Sequence, residues 1–198
     1  MTKRSAVEAS TEERTAQKGR TWATRPNVLV CGTPGTGKTE MSAAIARKVK
    51  MQHLNVGDLA ARLDAYDGWD EDRQCHILNE DRVLDEMEIL VSKGGCVVDY
   101  HACDFFPERW FDLVLVLRAT TEVLFDRLTA RNYAHAKIQE NLQCEIMQVL
   151  LDEARDNYPE PVVVEVQNNT RLDFDSTIDR VVRWHDQWLR DHAPPSST

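Results

Sequence analysis

The sequence has no hydrophobic run long enough to cross a membrane, and residues 1–25 lack the apolar segment of a signal peptide. No internal repeat is visible, and no C-x-x-C pair occurs among the five cysteines, an odd number that predicts reduced thiols and no disulfide scaffold. A zinc site is a lesser alternative, and its candidate ligands are Cys75, His76, Cys96, His101 and Cys103. With 198 residues, of which 42% are hydrophobic, the chain can form one globular domain with a packed core.

Positive charge is scarce beyond the first residues. Residues 1–25 hold six basic and three acidic side chains, a net +3, so the rest of a chain of net charge −9 carries −12. This acidic body argues against a broad nucleic-acid-binding face, and we expect no direct DNA binding. It would suit a basic protein partner, although a general contribution to solubility explains it equally well. Because residues 1–25 lack apolar periodicity, we predict a disordered extension there, a domain over 26–193 and a loose tail over 194–198.

What the sequence does contain is Gly32-Thr-Pro-Gly-Thr-Gly-Lys-Thr39, which fits the phosphate-binding pattern G-x-x-x-x-G-K-[ST]. An apolar run over 27–31 predicts a buried strand before it, and the Ala-rich, periodic residues 40–49 predict a helix after it. The glycines allow successive backbone N–H groups to point at one anion, at the positive end of that helix. Lys38 supplies charge for the β- and γ-phosphates, and the Thr39 hydroxyl is placed to bind Mg²⁺. The alternative, a plain glycine turn, explains neither the lysine nor the threonine.

Strand and helix patterns alternate after this loop. Further strands are predicted at 51–56, 96–99, 113–117 and 162–166. Helices are predicted at 58–65, 79–93, 120–130, 136–157 and 173–192, and residues 66–72 suggest an acidic loop. Five strands alternating with helices predict an α/β fold, in which a parallel sheet is covered on both faces and the site lies at the carboxyl ends of the strands.

Further polar residues fall at that edge of the predicted sheet. Asp99 ends an apolar strand, where a second acid holds Mg²⁺ through water in P-loop folds, or else simply caps a turn. His101 could orient or deprotonate a water molecule, but an ordinary surface histidine is nearly as compatible with the spacing. Arg127 and Arg131 share one helix face and could neutralise phosphoryl charge, unless they form a solvated basic face. Arg118, directly after its strand, is a weaker candidate for the same role.

Over residues 26–192 the chain resembles the adenylate kinase isoenzyme 6 family, also known as coilin-interacting nuclear ATPase proteins. Beyond the P-loop, the resemblance is carried by Asn55-Val-Gly-Asp-Leu59, Tyr66-Asp-Gly68, Asp81-Arg-Val83, Val98-Asp-Tyr-His101, Cys103-Asp-Phe-Phe-Pro-Glu-Arg-Trp-Phe111, Gln143-Cys-Glu-Ile146 and Gln148-Val-Leu150. The resemblance implies a P-loop nucleoside-monophosphate (NMP) kinase fold. Its five-stranded parallel sheet has the order 2-3-1-4-5, with helices on both faces and a short lid.

The resemblance also implies an activity and partners. The activity is phosphoryl transfer from ATP to AMP, which gives two ADP, together with ATPase activity; the cofactor is Mg²⁺. Family members are associated with maturation of the small ribosomal subunit and its 18S rRNA, through a small-subunit ribosomal protein and pre-40S particles, in nucleus and cytoplasm. A monomer without membrane attachment is expected. The alternative function is a ribosome-assembly ATPase controlled by nucleotide, in which kinase turnover is incidental. A shikimate or gluconate kinase would share the loop but not the run at 98–111.

The resemblance assigns roles to individual residues. The ATP-binding positions are Gly35, Thr36, Gly37, Lys38, Thr39, Glu40 and the lid residue Arg131. The catalytic positions are Lys38, Asp99, His101 and Arg131, and Mg²⁺ is held by Thr39 and, through water, by Asp99. Residues 55–78 form the NMP-binding segment, with Asn55, Gly57, Asp58 and Arg62, and residues 130–140 form the lid. Two positions depart from the family pattern: Ala61 stands where an arginine is frequent, with Arg62 next to it, and Asn132 follows Arg131 in place of a glycine.

Overall fold

A computed structural model describes residues 24–71 and 75–193. Along the chain its elements are β1 (Val28–Cys31), α1 (Lys38–Val49), β2 (Gln52–Asn55), α2 (Val56–Leu63), β3 (Tyr66–Asp70), β4 (Cys75–Leu78), α3 (Glu80–Val91), β5 (Cys96–Asp99), β6 (Leu113–Arg118), α4 (Thr121–Ala130), α5 (His135–Ile146), α6 (Val149–Asn157), β7 (Val163–Gln167) and α7 (Arg171–Asp191). The predictions of a disordered extension and a loose tail fall, apart from residues 24 and 25, outside the described residues. Within the described ranges, no helix is both long and apolar enough to span a membrane.

The main sheet is parallel and has the lateral order β2-β5-β1-β6-β7. Counted along the chain, these five strands are in the order 2-3-1-4-5, so the predicted topology is confirmed. β1 lies in the centre and is buried over its whole length. The phosphate-binding loop therefore leaves the middle of the sheet, with the ends of β5 and β6 on either side.

Both faces of the sheet are covered by helices, which is why β1 is apolar at every position. Its side chains alternate between the faces: Leu29 and Cys31 pack with α2, α3 and α6, whereas Val28 and Val30 pack with α1 and α7. Ile178 of the last helix, α7, is buried in this second layer. The two apolar layers hold the strand ends, and hence the loop, in a fixed arrangement.

Two local predictions were wrong. The single helix expected over 136–157 is two helices, α5 and α6, separated at Gln148, whose φ of 58° is left-handed. The acidic loop expected over 66–72 contains strand β3, which pairs antiparallel with β4 as a separate hairpin. Its cross-strand aromatic contacts explain the strand: His76 stacks on Tyr66 at 4.4 Å and meets the edge of Trp69 at 5.0 Å. The last residue of that predicted loop, Asp72, lies outside the described part of the chain.

Asn27 joins three segments at the amino-terminal edge of the sheet. Its fully buried side chain donates to the carbonyl groups of Val91 (2.8 Å) and Trp110 (3.0 Å) and accepts from the backbone N–H of Cys96 (2.9 Å). We expect Asn27→Ala to lower the free energy of unfolding by about 3–5 kcal/mol, because all three buried hydrogen bonds disappear together. Urea unfolding measures this loss.

The matched control is Asn157→Ala. Asn157 is exposed at the end of α6, where its side chain bonds only to the carbonyl of Glu153 among the contacts described. We expect a change of about 0.5 kcal/mol or less for this exposed site. Similar losses for the two variants would show that Asn27 is not a structural junction.

Candidate functional site

The phosphate-binding loop, residues 32–39, connects the central strand β1 to α1. Gly32 has a φ of 136°, and a Cβ atom there would overlap the carbonyl oxygen of Leu117. Gly37 has a φ of 97° as the N-cap of α1, and a Cβ atom there would lie 2.6 Å from Nδ2 of Asn168. Glycine is therefore required at both positions, for backbone conformation and for space. The loop leaves bare backbone at the amino end of a helix, the arrangement that binds phosphate groups.

Three side chains hold this loop from outside, and sequence reasoning found only one of them. Arg127 approaches the carbonyl oxygens of Gly35 and Thr36 at 3.4 Å. Asn168, which follows β7, donates to the carbonyl of Thr36 at 2.7 Å, and Glu145 accepts from the Thr33 hydroxyl. Neither residue belongs to a phosphate-binding motif, so the sequence assigned no role to them, although Glu145 lies in a stretch that carries the family resemblance.

Lys38 is the first residue of α1, and its ammonium group lies 3.2 Å from the carbonyl oxygen of Thr33. Part of the side chain reaches solvent, but its charged end lies deep in the protein. Burial lowers the pKa of Lys38 to about 8, although the charge of Asp99 opposes the shift; the charge of Arg131 adds to it. Lys38 therefore remains mostly protonated at pH 7.

The pKa of Lys38 makes nucleotide affinity depend on pH. Bound phosphate groups stabilise the protonated lysine, so the complex keeps a proton that the free protein loses above about pH 8. We expect the affinity for ATP to fall as pH rises through 8, by up to about tenfold per pH unit. Binding at pH 9 should then take up a proton, which calorimetry in buffers of different ionisation enthalpy detects. Proton-neutral binding at that pH would contradict this expectation.

Asp99 ends β5 beside the loop and is almost completely buried. The parallel register places Asn55 of β2 opposite it, and Nδ2 of Asn55 donates to Oδ2 of Asp99 at 2.7 Å. Nε2 of His53, two residues earlier on the same strand, lies 3.5 Å from the same oxygen. Burial alone would raise the pKa of Asp99, but polar contacts with His53, Thr39 and Asn55, with the charge of Lys38, lower it below its usual range. Asp99 is therefore an ionised carboxylate directed at the loop.

The structure thus adds His53 to the site, and it places Asn55 beside Asp99. Sequence reasoning gave no role to His53, because the i, i+2 spacing of His53 and Asn55 is informative only once the pairing of β2 with β5 is known. The carbonyl oxygen of the Asn55 side chain also caps α2 by accepting from the N–H of Asp58 at 2.9 Å.

His101 follows β5 by two residues, and its backbone carbonyl accepts from the N–H of Gly32 at 3.2 Å. Its ring lies against Tyr100, with centroids 4.2 Å apart. The residue as a whole is exposed. Burial, helped by the charge of Lys38, lowers the pKa of His101 to about 4. The imidazole is therefore neutral at pH 7 and able to accept a proton.

The arginine candidates fall into different environments. Arg118 is bound by two carboxylates, Glu145 and Glu165, so its guanidinium serves the fold. Arg131 is exposed and caps the C-terminus of α4. The residue after it, Asn132, has a φ of 57°, a left-handed conformation that asparagine tolerates better than most residues. This explains how asparagine can stand at the position after Arg131.

The predicted NMP-binding residues follow β2. Gly57 and Asp58 are exposed in the first turn of α2, and Arg62 is exposed in its last turn. Glu40, the last predicted ATP-binding position, is exposed in the first turn of α1 and lies 3.7 Å from Arg171. The zinc alternative gains no support: within the described ranges, which include all five cysteines, no group of three or more His, Cys, Asp or Glu side chains could hold a metal ion.

Comparisons with known proteins give a consistent result. A family model described as "AAA domain" matches residues 28–148. The adenylate kinase isoenzyme 6 homolog of Dictyostelium discoideum is 48% identical over 164 residues, which cover 83% of this chain and 94% of that protein. The adenylate kinase isoenzyme 6 homolog FAP7 of Saccharomyces cerevisiae is 43% identical over 168 residues, which cover 84% and 85% of the two chains.

Solved structures agree on the fold. A gluconokinase from Sinorhizobium meliloti superposes with a TM-score of 0.55 at 17% identity, over 85% of this chain and 98% of that chain. A shikimate kinase from Acinetobacter baumannii, in complex with shikimate, gives a TM-score of 0.56 at 17% identity, over 85% and 96%. At this level of identity the likeness extends to the P-loop kinase fold alone.

Proposed function

This chain belongs to the adenylate kinase isoenzyme 6 family, and we propose that it transfers the γ-phosphoryl group of ATP to AMP, producing two molecules of ADP. The observation that carries the proposal is the convergence of three groups on one loop: a buried lysine, an ionised aspartate and a neutral histidine. Such a set suits phosphoryl transfer, where the protein positions reactants and offsets negative charge. The names of the relatives support the same class of reaction.

Different residues of the site bind ATP, neutralise phosphate charge and bind AMP. The N–H groups of residues 35–40 bind the phosphates of ATP, and Lys38 offsets the negative charge of the β- and γ-phosphates. Arg131 supplies a second positive charge from the lid over 130–140. AMP enters from the 55–78 side, where Asn55, Gly57, Asp58 and Arg62 are the candidate contacts. The lid must exclude water while AMP is bound, because water would otherwise receive the phosphoryl group.

The oxygen groups near the loop fit Mg²⁺. The Thr39 hydroxyl lies close enough to Asp99 to help lower the pKa of its carboxyl, and hard oxygen donors are the ligands that Mg²⁺ prefers. Thr39 would hold the ion directly, and Asp99 would hold it through water. When bound, Mg²⁺ neutralises phosphate charge that accumulates during transfer. Asn55 and His53 keep the Asp99 carboxylate oriented whether or not Mg²⁺ is bound.

A panel of phosphoryl acceptors tests the proposal. ADP formation from ATP is measured with AMP, CMP, GMP and UMP in turn, at saturating Mg²⁺. We expect turnover with AMP to exceed turnover without an acceptor by more than about tenfold, since positioned phosphoryl transfer gains from both bound partners. Equal rates with and without every monophosphate would contradict an NMP kinase.

His101 gives a further prediction. We expect His101→Ala to reduce ATP hydrolysis by about 10²-fold, the scale of general-base catalysis, and to reduce AMP phosphorylation less. The reason is that water must be oriented and deprotonated, whereas bound AMP presents a phosphate oxygen that is already ionised. Parallel assays of phosphate release and ADP formation compare the two rates. Equal losses would assign His101 a structural role.

A second function is favoured by the acidic body of the protein, which carries a net charge of −12 outside residues 1–25. In this alternative, ATP binding and hydrolysis control a contact with a basic small-subunit ribosomal protein during 18S rRNA maturation, in nucleus and cytoplasm. The ATPase rate with and without that protein separates the two functions. Stimulation by the protein without dependence on AMP would favour the assembly role, and strong AMP dependence without stimulation would exclude it.

A further inference from the structure

Glu145, near the C-terminal end of α5, is a buried carboxylate to which the reaction described so far gives no role. It is only 3% exposed. Its Oε1 atom accepts from Nε of Arg118 (2.5 Å) and from the N–H of Ala119 (3.1 Å), and its Oε2 atom accepts from the Thr33 hydroxyl (2.5 Å). A buried charge persists only when it is paired and hydrogen-bonded, and this one is. One side chain therefore joins α5, the end of β6 and the phosphate-binding loop.

Thr33, the loop residue that Glu145 contacts, organises the loop around its carbonyl oxygen. That oxygen accepts from the N–H of Thr36 (3.2 Å), from the Thr36 hydroxyl (2.8 Å) and from the ammonium of Lys38 (3.2 Å). Thr33 is itself 1% exposed. The position of the Thr33 carbonyl oxygen therefore determines both the turn of the loop and the location of the Lys38 ammonium group.

The opposite end of α5 lies within the predicted lid, residues 130–140. The helix begins at His135, four residues after Arg131, and Ile138 packs with Leu124 and Leu128 of α4. Twelve helical residues span roughly 18 Å. α5 is thus a rigid connection between the segment that carries Arg131 and the loop that carries Lys38, and Glu145 makes the contact at the loop end.

We propose that Glu145 is a positioning residue for the binding of nucleoside triphosphate. By holding the Thr33 hydroxyl, it fixes the loop carbonyl that orients Lys38, and it ties the lid helix to that loop. The proposal rests on the proposed function only in that the loop binds ATP. It assigns Glu145 no contact with substrate; its effect passes through Thr33.

The test compares Thr33→Val with Thr33→Ser in the full chain. Valine preserves the shape of threonine but removes the hydroxyl donor, whereas serine keeps the donor. For Thr33→Val we expect a loss of about 10- to 100-fold in affinity for a non-hydrolysable ATP analogue, the range typical of residues that orient a ligand-binding group. The rate of ADP formation should fall in parallel, with the KM for AMP unchanged. Thr33→Ser should restore both to within about threefold of the native values.

Calorimetry measures the analogue affinity without turnover, and a melting curve shows that each variant is folded. If Thr33→Val does not fold, Thr33→Ala replaces it in the same comparison. Asp156→Asn, on the exposed face of the neighbouring helix α6, is the control and should leave affinity unchanged. The proposal is overturned if Thr33→Val binds the analogue as well as the native protein, if serine is no better than valine, or if only the melting temperature changes. The native protein could fail to phosphorylate AMP while Thr33→Val still shows the predicted loss of analogue affinity. That combination would reject the proposed function but would support the positioning role of Glu145.

Discussion

Replacement of Lys38 by alanine is expected to reduce both AMP phosphorylation and ATP hydrolysis by about 10³-fold or more, since one positioned charge at a phosphoryl-transfer site accounts for an effect of this size. Lys38 lies within the loop itself, with its ammonium 3.2 Å from the carbonyl oxygen of Thr33. Burial removes much of the water around this charge and thereby lowers the pKa of Lys38 to about 8. An ammonium group with little hydration interacts strongly with phosphate, because water screens it less.

The measurement is a coupled assay for ADP together with a direct assay for released phosphate. Lys48→Ala is the matched control, because Lys48 is an exposed lysine in the last turn of the same helix, far from the loop end. It should behave as the native protein does. ADP formation that survives in Lys38→Ala would show that this loop is not the transfer site.

The second large effect is expected for Asp99→Asn. The substitution keeps the size of the side chain but removes the negative charge beside Thr39. We expect the rate of ADP formation to fall by about 10²-fold and the Mg²⁺ concentration for half-maximal rate to rise, because the neutral amide holds a hydrated cation poorly. Unfolding in urea should change little, since Asn55 can still donate to the remaining carbonyl oxygen.

Asp81→Asn, in the exposed first turn of α3, controls for the loss of one negative charge from an acidic protein. The rate is measured over a range of Mg²⁺ concentrations for both variants. If Asp99→Asn shows the native dependence on Mg²⁺, the carboxylate has no part in holding the cation.

The fold could be predicted from the sequence because its separate patterns all indicated the same architecture. The apolar strand before the loop, the glycines and the amphipathic helices all predicted one parallel sheet, and the strand order that the resemblance implied was confirmed. The position of Asp99 beside the loop follows from the sequence pattern alone, because parallel strands end at a common edge.

Other features depend on contacts between segments that are distant in the sequence, so no local pattern could reveal them. His53 approaches Asp99 only because β2 pairs with β5, and Glu145 reaches Thr33 across 112 residues of chain. The break between α5 and α6 falls at Gln148, a residue with no intrinsic signal for a helix end. Strand β3 was predicted to be a loop because its acidic residues have low strand propensity, and cross-strand aromatic contacts with β4 outweigh that preference.

The most direct test of the central claim follows the label from ATP that is radioactive in its γ-phosphate, incubated with AMP, Mg²⁺ and the native protein. Transfer to AMP predicts that the label appears in ADP, faster than in inorganic phosphate, and that Lys38→Ala abolishes both products. Label that appears only in inorganic phosphate, at a rate independent of AMP, would contradict the claim and would identify the protein as an ATPase that uses the same loop.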